Sequence, residues 1–475
     1  MKKSIAVPAG IALALLVYFL NPFGLAPKAM LTLSIGVLMV FWWVSEALPM
    51  PVVALLPLVL FPSFGIGTLK NTALPYADPV IFLFMGGFLL GLAIEKWNLH
   101  RRIALNIVRI TGTSGNRIVL GFILSTGFLS MWLSNTATTM MMFPIALSVV
   151  NVLKEHPRNG ARYDHFAVAI MLSIAYASNL GGIATVIGTP PNVAFVGYMQ
   201  ERYNMTIDFA SWMAVCFPLA LLLMLSMYVV MVKWLFPNHI KAEESTRMVI
   251  REELAKLGPM RVSEKRVLIV FCTTALLWIL KDLINQLNLI KLDDTVIAIA
   301  GGTALFFIPS GKENTKENAL LTWEDTSKMA WGILLLFGGG ITLANALENA
   351  GLMKQLGEWL AGFAGNGGFV LVVMITILSI FISEVMSNVA QVIVFAPVMA
   401  GMADALHINP MLLGVPMTLA ASCASMLPMG TPPNAIVFAS GHIRLGQMVK
   451  AGLVLNLLAI VLISVFCWYV LPVFF

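Results

Sequence analysis

This sequence predicts an all-helical integral membrane protein, on three observations. Of its 475 residues 59% are hydrophobic and only 11% charged, against about 25% charged in an ordinary soluble chain. Its apolar residues gather into runs of about 20, the length of a bilayer-crossing helix. Its Lys and Arg residues cluster in short stretches between those runs, the pattern of cytoplasmic loops. The formal net charge of +6 is therefore a statement of membrane orientation. The same composition excludes soluble enzymes, nucleic-acid-binding domains and disordered chains. Cys216, Cys272, Cys423 and Cys467 lie in apolar stretches without metal-type spacing and read as small hydrophobes.

The first element begins at the N-terminus, where Lys2 and Lys3 precede an apolar run that imitates a signal peptide. Val7-Pro8 and the lack of a small-residue cleavage site favour a retained first helix. Eleven spans are expected, at 5–21, 29–49, 52–68, 79–97, 163–186, 207–236, 267–289, 294–309, 330–348, 410–429 and 450–474. Segments 117–152 and 369–403 behave differently. The first has Lys96, Arg101, Arg102, Arg109 and Arg117 before it and Lys154, Arg158 and Arg162 after it. Both its ends are then cytoplasmic, which makes it a re-entrant hairpin. The second is nearly free of flanking cations, with Lys354 the nearest, so it enters from the opposite face. The basic loops 237–266 and 310–328 (with Lys312, Lys316 and Lys328), together with Arg444 and Lys450, place the N-terminus inside and the C-terminus outside. Lys281 and Lys291 are the exceptions. Four parts result: an N-terminal helix 1–28, a repeat 29–236 with a broken helix at 163–200, a linker 237–266, and a repeat 267–475 with a broken helix at 410–440.

The halves repeat. An offset of 253 maps Phe84-Met85-Gly86-Gly87 onto Phe337-Gly338-Gly339-Gly340, Glu95 onto Glu348, Ser130 onto Ser383, Ser134-Asn135 onto Ser387-Asn388 and Pro144 onto Pro397. Beyond the hairpins an offset of 242 maps Gly188-Thr189-Pro190-Pro191-Asn192 onto Gly430-Thr431-Pro432-Pro433-Asn434. With hairpins on opposite faces, these are inverted repeats. Inverted repeats with interrupted helices are the build of a secondary transporter.

Each hairpin carries a Ser-Asn pair at its middle, Ser134-Asn135-Thr136 and Ser387-Asn388-Val389. A hairpin tip at mid-membrane has backbone groups that lipid cannot satisfy. Ser130 and Ser134, like Ser383 and Ser387, are one helical turn apart, so their hydroxyls share a side. Each Pro-Pro removes two backbone donors and disfavours helix in the residue before it, breaking the chain at Gly188-Thr189 and Gly430-Thr431. The parts make a site with oxygens for a hard cation and N–H groups for an anion. No Lys, Arg or His lies at 170–200, 370–399 or 411–440. Helix N-termini offer about half a charge each, so the remaining countercharge for an anion falls to co-bound cations. That is a physical reason to expect sodium coupling. Glu384, the one acidic residue in a hairpin arm near the motif, is a proton or cation candidate, although its counterpart Met131 is apolar. Glu46, beside Trp42 and Trp43, reads as an interfacial residue.

At these residues the chain resembles the divalent anion/sodium symporter family, in particular its INDY-like bacterial sodium-coupled dicarboxylate transporters. The resemblance runs over nearly the whole chain. Its carriers are both Ser-Asn tips, both Thr-Pro-Pro-Asn motifs, the stretch from Ser422 to Val437, and Phe41-Trp42-Trp43 with Glu46-Ala47-Leu48-Pro49. It implies a homodimer whose protomers have a scaffold domain and a transport domain that moves as an elevator. It implies at least two sodium ions, one at Ser130, Ser134, Asn135 and Gly188, the other at Ser383, Met386 (backbone), Asn388 and Gly430. Substrate carboxylates would meet Asn135, Thr136, Thr189, Asn388, Val389, Thr431 and Pro432. Val389 stands where many members have Thr, and Ser425 where an aromatic is usual. The resulting expectation is sodium-driven import of succinate, malate and fumarate across a bacterial inner membrane. The alternatives are a sodium-independent di- or tricarboxylate exchanger and a sodium-coupled sulfate or citrate carrier. An anion channel would share the pore chemistry without needing a cation. An enzyme would need a nucleophile, a base and an orienting partner, and the hairpins offer serines with no nearby His or Lys. Nothing resembles a phosphate-binding P-loop.

Overall fold

The computed structural model describes residues 3–22, 24–155, 162–241, 244–287, 290–311, 319–364 and 368–474. Lys2, Arg158, Lys312 and Lys316, four of the orienting cations, lie outside them. Among the described residues nine helices are long and apolar enough to cross a membrane, and shorter apolar helices complete the bundle. Two of the nine, Asn135–Glu155 and Asn388–Leu406, are the second arms of the hairpins; the first arms are Gly115–Ser130 and Phe369–Ser383.

Two differences from the expected spans have physical causes. The span at 52–68 is a pair of short helices, Met50–Ala54 and Leu56–Ser63. Pro51 and Pro57 each occupy the first turn of one of them, where a missing N–H is tolerated. Two further helices, Leu99–Thr111 and Leu352–Ala364, fall outside every expected span. Each has apolar and polar faces, so neither forms a continuous apolar run. The offset of 253 maps one onto the other, as it does the hairpin arms that come after them.

One end of the bundle is marked by the linker. Arg102 holds Glu264 at 2.6 Å, Arg101 holds Glu253 at 3.3 Å, and Lys96 holds Asp325 at 2.7 Å. Burial raises the Asp325 carboxyl, but the Lys96 ammonium and the Thr322 N–H and hydroxyl outweigh it and hold that carboxyl below the usual range. Both bases of the first hairpin lie here too: Gly115 N–H donates to the Ile240 carbonyl at 3.0 Å, and Arg162 N–H to that of Asn238 at 2.9 Å. The second hairpin reaches the opposite end, where Asp404 on its second arm meets Arg202 at 3.0 Å. Lys281, an exception to the charge rule, is neutralised by Asp294 at 3.0 Å.

Glycine lets the helices close on one another. Helix Pro79–Lys96 packs on Asp294–Phe307, and a Cβ on Gly86 would lie 2.4 Å from the Ala298 carbonyl carbon. Its repeat counterpart Trp331–Asn349 packs on Met50–Ala54, and a Cβ on Gly339 would lie 2.3 Å from the Ala54 oxygen. Around the hairpins, a Cβ on Gly181 would lie 2.2 Å from the Gly127 oxygen. Close backbone approach of this kind is how helices associate inside lipid, where the hydrophobic effect does not drive them together. Gly181→Val is expected to lose thermal stability by about 1–3 kcal/mol or more, the cost of overpacking. Gly446→Ala, at a position with nothing within 4 Å, serves as the neutral control, and the measurement is a melting curve of the detergent-solubilised protein.

Candidate functional site

In the first hairpin the helix stops at Ser130 and restarts at Asn135. Ser134 caps the restart, its Oγ accepting from Ala137 N–H at 3.2 Å, as an N-cap does. Asn135 and Thr136 precede the first intrahelical bond, from Thr138 N–H to the Ser134 carbonyl, so their own N–H groups face the break. The second hairpin restarts at Asn388. Ser387 makes no side-chain cap there, and Asn388 and Val389 present their N–H groups in the same way. Val389 therefore offers a backbone donor despite lacking the hydroxyl of Thr136.

Behind each Asn sits the serine one turn upstream. Ser130 Oγ donates to Asn135 Oδ1 at 2.7 Å. Ser383 Oγ lies 2.6 Å from both Asn388 Oδ1 and the Ala421 carbonyl oxygen. A hydroxyl carries a single hydrogen, so Ser383 donates to only one of these two oxygens. Near Asn135, a Cβ on Gly182 would lie 2.7 Å from Asn135 Oδ1 and 3.2 Å from the Gly188 oxygen. A Cβ on Gly188 would lie 2.4 Å from the Gly182 oxygen and 3.0 Å from Thr185 Oγ1. Neutral oxygens thus crowd a space that admits no side chain. Among the described residues no group of three or more His, Cys, Asp or Glu could hold a metal ion, so these neutral clusters are the candidate cation positions.

The broken helices repeat down to their dihedral angles. Thr189 and Thr431 are both extended, with φ/ψ of −147/140° and −143/150°, and the prolines after them start helices Pro190–Tyr203 and Pro432–Phe438. Asn192 and Asn434 turn back to serve the break. Asn192 Nδ2 reaches the Thr185 carbonyl at 2.8 Å, and Asn434 Nδ2 that of Leu427 at 3.2 Å. The breaks are longer than the two residues expected. The preceding helices, Tyr163–Gly182 and Met411–Ala421, end well before the prolines.

Glu384 explains the longer second break. Its carboxylate is 3% exposed. It accepts from the N–H groups of Ser425 and Met426 at 2.8 Å, from that of Leu427 at 3.0 Å, and from Asn456 Nδ2 at 2.7 Å. It replaces the helical carbonyls those N–H groups have lost, so it positions the loop that leads to Gly430.

These parts meet in a cavity of about 660 Å³. All seven residues expected to meet substrate line it: Asn135, Thr136, Thr189, Asn388, Val389, Thr431 and Pro432. Of the expected cation ligands, Ser134, Asn135, Met386, Asn388 and Gly430 line it, while Ser130, Gly188 and Ser383 are buried behind it. Asn179 and Glu46 also line it, and neither was expected at the site. Asn179 joins the halves, its Oδ1 accepting from Asn135 at 3.4 Å and its Nδ2 donating to Thr431 Oγ1 at 3.2 Å. The offset of 242 sets Ala421 opposite it, so the repeat gave no signal. Glu46, read as interfacial, stands in the cavity wall in the left-handed region, with φ 49°. No Lys, Arg or His is among the lining residues.

Glu384→Ala is expected to destabilise strongly, because each buried donor left without an acceptor costs about 1–3 kcal/mol. Glu384→Gln keeps acceptor oxygen and should lose less. Melting curves of both variants check this, and an unchanged Tm for Glu384→Ala would contradict the loop-positioning role.

Comparison with known proteins bears on the family and the fold. The family model described as "Sodium:sulfate symporter transmembrane region" matches residues 2–474. A sodium-dependent dicarboxylate transporter, SdcS, from Staphylococcus saprophyticus is 38% identical over 457 residues, which are 95% of this chain and 88% of that one. Its namesake from Staphylococcus aureus strain USA300 is 37% identical over 460 residues, covering 96% and 88%. Among solved structures, the Alcanivorax borkumensis YdaH transporter superposes with a TM-score of 0.60 at 15% identity, covering 92% of this chain and 98% of its own. That likeness speaks to the fold alone.

Proposed function

The chain belongs to the sodium:sulfate symporter transmembrane family, and from that premise we propose that it is a sodium-coupled symporter of C4-dicarboxylates such as succinate, malate and fumarate. The observation that carries this reading is the cavity itself. It joins both Ser-Asn tips and both Thr-Pro-Pro-Asn motifs, offers neutral donors and acceptors with Glu46 the one acidic side chain in its wall, and holds no basic side chain. The SdcS relatives are named as sodium-dependent dicarboxylate transporters, which supports the same substrate class.

The chemistry is divided among the parts. Each hairpin tip supplies backbone N–H groups and an Asn amide for one carboxylate. Two tips suit a dianion whose charges are separated along a short chain better than one with a single centre. Thr189 and Thr431 add hydroxyls at the restart of the broken helices. The helices that begin at Asn135, Asn388 and Pro190 aim their positive ends at the cavity. The remaining countercharge comes from at least two sodium ions. One sits among Ser130, Ser134, Asn135 and Gly188, the other among Ser383, Met386, Asn388 and Gly430. Because the Asn135 and Asn388 side chains belong to both sites, anion and cation binding are coupled.

The same reading places the linker end in the cytoplasm of a bacterium, with the N-terminus inside and the C-terminus outside. Hairpins and broken helices form the moving body of an elevator. The glycine-packed helices Pro79–Lys96, Asp294–Phe307, Met50–Ser63 and Trp331–Asn349 belong to the scaffold, in a homodimer. The repeat bounds 29–236 and 267–475, with the linker 237–266 between them, are part of this proposal.

Succinate is expected to raise the Tm only when sodium is present, and neither ligand should stabilise Asn135→Ala or Asn388→Ala. Stabilisation by succinate in potassium alone would favour the exchanger, and displacement of succinate by sulfate would favour the inorganic-anion carrier.

A further inference from the structure

The end of the bundle opposite the linker is tied by charge. Arg202, in the last turn of helix Pro190–Tyr203, pairs with Glu348 near the end of helix Trp331–Asn349 and also with Asp404 at 3.0 Å. Beside it, Asn345 Nδ2 donates to Glu201 at 3.1 Å. Arg202, Glu201 and Asp404 belong to the broken helix and the second hairpin. Glu348 and Asn345 belong to a helix fused by glycine contacts to Met50–Ala54. The pair therefore bridges the two bodies that the elevator reading sets in relative motion, and its role as a latch rests on that reading.

The cavity reaches toward the other end. Its wall includes Ile333, at the start of a helix whose preceding turn is held at the linker end by Lys96 and Asp325. The tie at Arg202 thus closes the end away from the opening.

The repeat supplies the counterpart. The offset of 253 carries Glu348 back to Glu95, and the offset of 242 carries Arg202 forward to Arg444. Glu95 ends helix Pro79–Lys96, the repeat mate of Trp331–Asn349, and Arg444 comes after the second broken helix. Both side chains are exposed, and among the described residues neither has an ion-pair partner. In the mirror-image state of an inverted repeat, they occupy the places that Arg202 and Glu348 occupy here.

We propose that Arg202–Glu348 and Arg444–Glu95 are alternating ionic latches, the first closing the outer side while the cavity faces the linker end, the second closing the linker end when it faces out. Each latch forms only when the other is open, so both states gain an ion pair and neither is trapped. A part-exposed pair of this kind shifts a two-state ratio by roughly two- to fivefold.

The test uses the full chain in proteoliposomes, in a Cys272→Ser background, with Ile333→Cys as a reporter labelled from the linker side by an impermeant maleimide. From an even population of the two states, Arg202→Ala should slow that labelling by about 1.5- to threefold. In a second protein, Glu95→Cys with Arg444→Cys should be joined by a short bifunctional thiol reagent during sodium and succinate turnover. If Ile333→Cys labelling responds to sodium and succinate but the 95–444 link never forms, the latch is wrong and the alternating-access reading stands. If labelling responds to no condition, the elevator reading has failed first.

Discussion

The backbone groups exposed where helices break inside the bilayer are the constraint on which the rest of this structure depends. Lipid offers them no hydrogen bonds, so non-helical backbone is tolerated only where protein or a cavity serves it. Each break has its own solution. Ser134 caps one restart, Asn192 turns back onto the carbonyl of Thr185, Asn434 reaches Leu427, and Glu384 gathers the N–H groups of Ser425, Met426 and Leu427. After these bonds the N–H groups of the hairpin restarts still lack helical partners, and the side chains of Asn135 and Asn388 stand beside them. They face one cavity, so the cost of breaking the helices and the capacity to bind charged solutes have one origin.

That origin also explains why the site carries no basic side chain. A permanent cation in the cavity would bind the anion without help and would itself have to be moved or shielded when the site is empty. Backbone dipoles and neutral oxygens hold partial charges, which leaves room for ions that come and go with the substrate. Under the proposed symport, sodium then acts as a removable countercharge. The two half-sites are related by the repeat but are not copies. Asn179 has Ala421 as its counterpart, Thr136 has Val389, and Glu384 has Met131. These departures line, bridge or support the cavity, which gives its two halves different environments.

Much of this was legible in the sequence because the relevant signals are local and doubled. The Ser-Asn tips and the Thr-Pro-Pro-Asn motifs lie in short windows and recur at fixed offsets, so their convergence on one cavity could be expected. What was not legible depends on contacts distant in sequence. The second break opens at Ser422, well before Gly430, because its acceptor is Glu384 at the tip of the second hairpin. Asn179 is a lone polar residue in an apolar run, and Glu46 beside two tryptophans resembles any interfacial carboxylate. Helices Leu99–Thr111 and Leu352–Ala364 were missed because a search for long apolar runs passes over helices with one polar face. The offset that relates them was present, and extending the repeat through them would have found both.

Sodium as the countercharge is the central claim, and labelled succinate uptake into proteoliposomes tests it most directly. Three conditions suffice: an inward sodium gradient, potassium in its place, and vesicles preloaded with unlabelled succinate. Sodium coupling predicts accumulation above the external concentration with the sodium gradient and none with potassium. Uptake that ignores sodium and requires internal succinate would contradict it, and would mean that the neutral cavity finds its missing charge elsewhere.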